Sequence, residues 1–304
     1  MSEARADRPL IVAALGGNAL LRRGEAPSVA VQRRNVAVAV TALAPLLADH
    51  DVVVTHGNGP QVGLLALRAA ADGDPLDVLG AESEALIGYL LGQALVNALP
   101  GREVVTLLTQ VVVDADDPAL AAPTKPIGPV YDRVTAERLA REHGWTVAPD
   151  GDRWRRVVGS PAPREIVELG VVRRLIDDGV VVVCAGGGGI PVARDATGDL
   201  RGVEAVVDKD RASALLASRL RADALLLLTD VPALIRGFGT AAAAPVAELG
   251  PGDPLIDRLP AGSMRPKVEA AQAFAAGGGV AAIGALEDAA AILAGRAGTR
   301  IRAG

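Results

Sequence analysis

Short, almost uninterrupted runs of Val, Leu, Ile and Ala recur along this chain. Each is followed by a turn and then by a longer stretch in which apolar and polar residues interleave. The runs Leu10–Leu15, Val52–Thr55, Val104–Val113, Val180–Ala185, Ala224–Thr229 and Val280–Ile283 lack the alternation of a half-exposed strand. They predict strands buried on both faces, as in a parallel sheet. The intervening stretches predict helices over residues 30–48, 60–71, 80–98, 164–178, 210–221, 265–276 and 286–294. Strands alternating with helices build an α/β fold, an open three-layer αβα sandwich with a mainly parallel central sheet. Ligands of such sheets sit beyond the carboxyl ends of the strands. Residues 114–163 break the rhythm with many prolines, both tryptophans and the charged stretch Asp150–Arg156. This segment predicts a small subdomain protruding from the first of two lobes, about 1–200 and 201–304, within a single domain.

Half of the 304 residues are hydrophobic, enough for a large core, but only six are aromatic, so that core must be aliphatic. A net charge of -5 and the shortage of stacking side chains exclude a nucleic-acid surface. The charged N-terminal MSEARADRP is no secretory signal. The uncharged run Ala270–Leu286 carries Gly277–Gly279 and cannot be a membrane helix. The expectation is a cytoplasmic protein with no membrane partner. Cys184, the single cysteine, lies in VVVVCAGG and reads as a buried strand thiol, with no disulfide possible within the chain.

Two glycine turns in the first half follow strands and precede helices: AALGGNAL at 13–20 and HGNGPQVG at 56–63. Gly57 and Gly59 permit close backbone approach, and Pro60 suits a first helical position. Backbone amides at such a turn can hold an anion. Gly16, Gly17 and Asn18 can form a matching cradle. Either cluster alone is as well explained by a tight turn; two together favour phosphate. Further glycines follow the strand at Val180–Ala185. No G-x-x-x-x-G-K-[ST] occurs, and the G-x-G-x-x-x-G spacing is one residue off the dinucleotide fingerprint. His56 either contacts substrate or caps its turn, with the structural role favoured.

Candidate cations are conspicuous by scarcity. The chain has 28 arginines and three lysines: Lys125 in PTKPIGP, Lys209 in VVDKDRAS and Lys267 in AGSMRPKVEA. Codon bias explains the scarcity but not the positions. A compact ammonium on a flexible stem does what a guanidinium fork cannot, and its usual partner is phosphate. Ser263 and Pro266 mark a helix start, which puts Lys267 in its first turn. A cation there costs a few tenths to about 1 kcal/mol unless an anion binds. Lys209 lies between Asp208 and Asp210; Asp210 can cap the following helix or hold ammoniums around a phosphoryl group. Lys125 sits on a proline-stiffened loop, either a solvated residue or an arm over a cleft. Phosphoryl transfer requires positioning and charge neutralisation rather than a protein nucleophile, which this kit would supply.

These motifs, in order along nearly the whole chain, resemble carbamate kinases of the amino-acid kinase superfamily. The resemblance is carried by ALGGNAL at 14–20, HGNGPQVG at 56–63, PLDVLGAESEALIGYLL at 75–91, LTQVVVDADDPA at 108–119, PTKPIGP at 123–129, GGGGIPV at 186–192, GVEAVVDKD at 202–210 and GSMRPKVEAA at 262–271. It implies reversible phosphoryl transfer between ATP and carbamate, with Mg²⁺ arriving on the nucleotide and no metal site built from the protein. It implies Gly16, Gly17, Asn18, Gly57, Asn58 and Gly59 around carbamoyl phosphate. Lys125 would reach the small substrate; Lys209 and Lys267, organised by Asp210, would contact the ATP phosphates. Gly187, Gly188, Gly189, Thr229, Asp230, Ser263 and Met264 would line the nucleotide side. A homodimer is implied, with residues 84–98 at its interface. The chain departs from the family pattern at Val158–Pro163, where Gly159 replaces a proline, and in PALIRGFGTAAAA after LTDV. Alternatives are a sister kinase acting on another acceptor and a phosphate-sensing protein of the same fold.

Overall fold

The computed structural model describes residues 8–22, 24–69, 73–240, 242–259 and 264–303. Its central sheet has eight strands in the order Glu248–Leu249, Thr299–Ile301, Val280–Ala285, Ala224–Thr229, Leu10–Leu15, Asp51–His56, Val181–Val183 and Val104–Thr106. All neighbours run parallel except Thr299–Ile301, which is antiparallel to Val280–Ala285.

The aliphatic runs have a direct cause, visible in the first strand. Val12 and Ala14 enter one core cluster with Val172, Leu216, Val268 and Phe274, from the helices Leu169–Asp177, Lys209–Leu220 and Met264–Ala275. Ile11, Ala13 and Leu15 enter the opposite cluster, with Leu43, Leu91 and Ile292 from Val29–Asp49, Leu76–Ala98 and Ala289–Leu293. Side chains alternate faces, and both faces are covered, so apolar residues are favoured at successive positions. Three layers result, as expected.

Two expected elements are corrected. The run Val104–Val113 is two strands in different sheets, because the chain turns away from the central sheet at Leu107–Thr109. There Thr109 donates its N–H to Glu84 at 3.3 Å, and its hydroxyl accepts from the N–H of Ala185 at 2.9 Å. Gln110–Val113 then joins a second sheet, ordered Leu200–Gly202, Ile190–Arg194, Gln110–Val113 and Pro163–Ile166. The stretch 164–178 therefore opens as a strand, and its helix begins only at Leu169.

Residues 114–163 fold around a three-stranded antiparallel sheet, Lys125–Tyr131, Arg153–Val158 and Thr146–Asp150, plus the helix Arg133–His143. Its tryptophans support arginines: Arg156 lies 4.6 Å from the Trp145 ring centroid and Arg133 lies 5.6 Å from that of Trp154. The small sheet docks on the helix Gly59–Arg68, where a Cβ added to Gly63 would fall 2.0 Å from the Cα of Gly128. Val62, Ala66, Ile127, Val158 and Val206 seal that junction. Among the described residues, no helix is long and apolar enough to cross a membrane.

Candidate active site

A cleft of about 1430 Å³ opens at the carboxyl ends of Leu10–Leu15, Asp51–His56 and Ala224–Thr229, under the subdomain. It is lined by Gly16, Gly17, Gly57, Asn58 and Gly59, by all three lysines and Asp210, and by Gly187, Thr229, Asp230 and Met264. Residues scattered over most of the sequence thus meet at one place. Gly188 and Gly189 do not line it: they pack beneath, and a Cβ on them would strike Val207 O at 2.4 Å and Val111 Cγ2 at 2.3 Å. Ser263 and the side chain of Asn18 lie outside the described residues.

The first cradle is assembled by main-chain contact. Gly57 N donates to Leu15 O and Gly16 N to Leu228 O, both at 2.9 Å. A Cβ on Gly57 would come within 2.8 Å of Gly17 N, so the two turns touch backbone to backbone. The helix Gly59–Arg68 leaves from this point, so its unpaired N–H groups face the cleft.

Two carboxylates sort the three lysines. Lys209 Nζ donates to Asp210 Oδ1 at 2.5 Å and Lys267 Nζ to Asp210 Oδ2 at 2.7 Å. Lys125 Nζ donates to Asp208 Oδ2. Asp208, not Asp210, caps the helix Lys209–Leu220: its Oδ1 accepts from the N–H groups of Asp210 at 2.9 Å and Arg211 at 3.2 Å. Of the two roles open to Asp210, capping the helix or holding ammoniums, it takes the second, both its oxygens being occupied by lysines. Burial alone would raise the Asp210 carboxyl, but Lys209 and Lys267 outweigh it and hold it well below the usual carboxylate range. The Asp208 carboxyl is likewise lowered: burial and Asp210 push it up, and Lys125 pulls it further down. Burial depresses Lys209 to about 8, despite Asp210, with Lys267 adding to the fall. Lys267 goes the other way, because attraction to Asp210 overcomes its burial.

Beneath the cradle lies polar support from the stretch PLDVLGAESEALIGYLL, in which no spacing marks Ser83 or Glu84 out. Asn58 Nδ2 donates to Ser83 Oγ at 2.8 Å, and the neighbouring Glu84 accepts from Gly186 N at 2.8 Å. Consecutive residues of the helix Leu76–Ala98 therefore hold two different glycine turns. Burial raises the Glu84 carboxyl to about 8, against the pull of the Gly186 and Thr109 amides. His56 is buried against its own turn, with Nδ1 3.3 Å from Gly57 O, so the structural role prevails over substrate contact. Desolvation lowers it to about 4 and keeps it neutral.

Among the described residues no group of three or more His, Cys, Asp or Glu is arranged to hold a metal ion. Asp208 and Asp210 are engaged by lysines, and Asp230 lies exposed beside Thr229 at the cleft.

Glycine amides facing three convergent ammoniums, at the strand ends of a three-layer α/β sheet, define a small-molecule phosphotransferase. Residues 9–283 match the amino acid kinase family. The chain is 52% identical to the carbamate kinase of Rhizobium meliloti (strain 1021), over 96% of its own length and 92% of that protein. It superposes on the carbamate kinase of Giardia lamblia bound to citric acid with a TM-score of 0.90 and 40% identity, covering 98% of this chain and 99% of that one. The same Giardia enzyme bound to AMP-PNP gives a TM-score of 0.84 and 38% identity, over 98% and 99%. The chain belongs to the carbamate kinases, within the amino acid kinase family.

Proposed function

We propose that this chain transfers the γ-phosphoryl group of ATP to an oxygen of carbamate, and the reverse. A P–O bond forms to the carbamate oxygen as the bond to the ADP leaving oxygen breaks. The observation that carries this reading is the convergence of Lys125, Lys209 and Lys267 on a cleft that is also lined by two glycine turns. The charge of the transferred group is spread over its equatorial oxygens, and catalysis consists of holding it in line and neutralising that charge. Gly17 and Gly59 supply main-chain donors, Gly16 and Gly57 fix the two turns through their own N–H bonds to Leu228 O and Leu15 O, and Asn58 is held by Ser83. Lys209 and Lys267 face the nucleotide phosphates from fixed positions on Asp210, and Lys125 reaches the small substrate from the subdomain. Thr229, Asp230, Met264 and Ser263 serve the nucleotide side. Mg²⁺ is the cation we assign, arriving with ATP or ADP beside Asp230; when bound it offsets charge on the phosphates.

The working direction proposed is ATP formation from carbamoyl phosphate in the breakdown of arginine or related nitrogen compounds, in the cytoplasm. A homodimer is supported by Val78, Tyr89 and Val96, exposed on the helix Leu76–Ala98, with Val29 and Val38 exposed on its neighbour Val29–Asp49. The direct test incubates the protein with MgADP and carbamoyl phosphate and measures ATP. ATP formation no faster than that of a Lys125→Ala/Lys267→Ala double variant would refute the reading.

A further inference from the structure

The two aspartates bracketing Lys209 hold their lysines on different terms. Asp210 has both oxygens on ammoniums, Oδ1 on Lys209 and Oδ2 on Lys267. Withdrawing either lysine strips charge compensation from a buried carboxylate, a costly state. Asp208 divides its oxygens: Oδ1 caps the helix through two N–H groups, and only Oδ2 takes Lys125. Departure of Lys125 leaves Asp208 with two amide donors and the positive end of the helix Lys209–Leu220. Solvent access follows the same order, the Lys125 side chain being 25% exposed against 9% for Lys209 and 14% for Lys267. The backbone under Lys125 is tied into a sheet. Its strand is packed against Gly63 through Gly128, paired with Arg153–Val158, and sealed by Ile127 and Val158. The flexible four-carbon stem gives the ammonium reach of its own.

We propose that Asp208 is a positioning residue that parks the Lys125 ammonium in the ligand-free protein and releases it to the incoming small anion. The cleft then works with two immobile cations and one that is handed over. Asp208 would compete with substrate for Lys125. This inference rests on the phosphotransferase reading only for the identity of the anion.

Asp208→Asn is the informative variant, because asparagine caps a helix as well as aspartate does, while its amide cannot retain an ammonium. In the ATP-forming assay it should lower KM for carbamoyl phosphate about 3-fold, the effect expected of removing one partly exposed ion pair. Removing a negative charge could favour any anion, so the same substitution is made on a Lys125→Ala background, where the gain should vanish. An equal gain in both backgrounds would overturn the proposal. A second readout needs no turnover. With ¹⁵Nζ-labelled lysine the protein gives only three side-chain signals, assignable by substitution. Asp208→Asn should move the Lys125 signal and leave those of Lys209 and Lys267 nearly in place. Saturating carbamoyl phosphate should make the Lys125 signal the same in wild type and variant. A Lys125 signal indifferent to Asp208→Asn refutes the clasp even if the protein proves to use another acceptor. Loss of ATP formation in the wild type, with the signal shift intact, would instead refute the choice of substrate.

Discussion

Gly63 and Gly128 meet backbone to backbone, so that a single added methyl on Gly63 would fall 2.0 Å from the Cα of Gly128. This contact, more than any side chain, sets the height of the subdomain above the cleft and therefore the reach of Lys125. Gly63→Ala should lift the strand Lys125–Tyr131 away from the helix Gly59–Arg68. We expect a destabilisation of about 1–3 kcal/mol in urea titration, as for other overpacked sites. We also expect KM for carbamoyl phosphate to rise more than KM for ADP, since Lys125 rides on the displaced element. Equal effects on both substrates would place the damage elsewhere.

Asp210 balances two cations, so its neutralisation should be severe in two measurements. Asp210→Asn leaves Lys209 and Lys267 without their shared counter-charge, a change expected to cost about 3–5 kcal/mol of stability or to drive one lysine neutral. Lys267→Arg preserves charge but not shape, because a planar fork cannot take the place of a compact ammonium on one carboxylate oxygen. We expect kcat to fall at least about 10²-fold in that variant, by steady-state kinetics. Near-wild-type turnover would show that charge alone suffices.

Lys209 makes the ligand-free site sensitive to alkaline pH. With its ammonium lowered to about 8, it loses its proton as pH rises through that value, and the cleft loses a cation. A phosphate dianion stabilises the charged form, so binding above pH 8 should draw a proton from solution. Calorimetry in two buffers of different ionisation enthalpy measures that uptake; its absence at alkaline pH would contradict the assignment.

Glu84 gives a stability signature of opposite origin. Its folded-state value of about 8 exceeds its ordinary 4.5, so between these two values the folded protein holds a proton that the unfolded chain releases. Stability therefore falls as pH rises through that window. Glu84→Gln should flatten the decline in the midpoint of urea unfolding, and an unchanged slope would exclude Glu84 as its source.

Cys184 is 1% exposed, and burial pushes its thiol far above the ordinary range, with Glu84 adding to the effect. Thiolate-directed alkylating reagents should leave both mass and activity of the folded protein unchanged and react once after denaturation.

Much of this architecture was legible because its causes are local. Leu10–Leu15 and Ala224–Thr229 are aliphatic without alternation because both sheet faces are covered, and the expected bounds match those observed. The glycine turns and the three lysines could be picked out by residue type and spacing. What stayed hidden depends on tertiary partners. The break at Leu107–Thr109 follows from bonds to Glu84 and Ala185, which no periodicity reveals. The distribution of capping and ion pairing between Asp208 and Asp210 was open in VVDKD, although an aspartate just before a helix is the usual cap signal. Ser83 and Glu84 looked like ordinary polar positions of a long helix, and only their contacts with Asn58 and Gly186 give them a purpose.

The strand Leu10–Leu15 lies between Asp51–His56 on one edge and Ala224–Thr229 on the other. During synthesis its first partner follows soon after it, but the second emerges only when about three quarters of these 304 residues have been made. Until then one row of backbone donors and acceptors in the middle of the future sheet stays open. A strand made well before its second partner thus waits to be enclosed, and the nascent first half is exposed to mispairing. The seam between the two halves of the molecule is a folding checkpoint as well as the floor of the cleft.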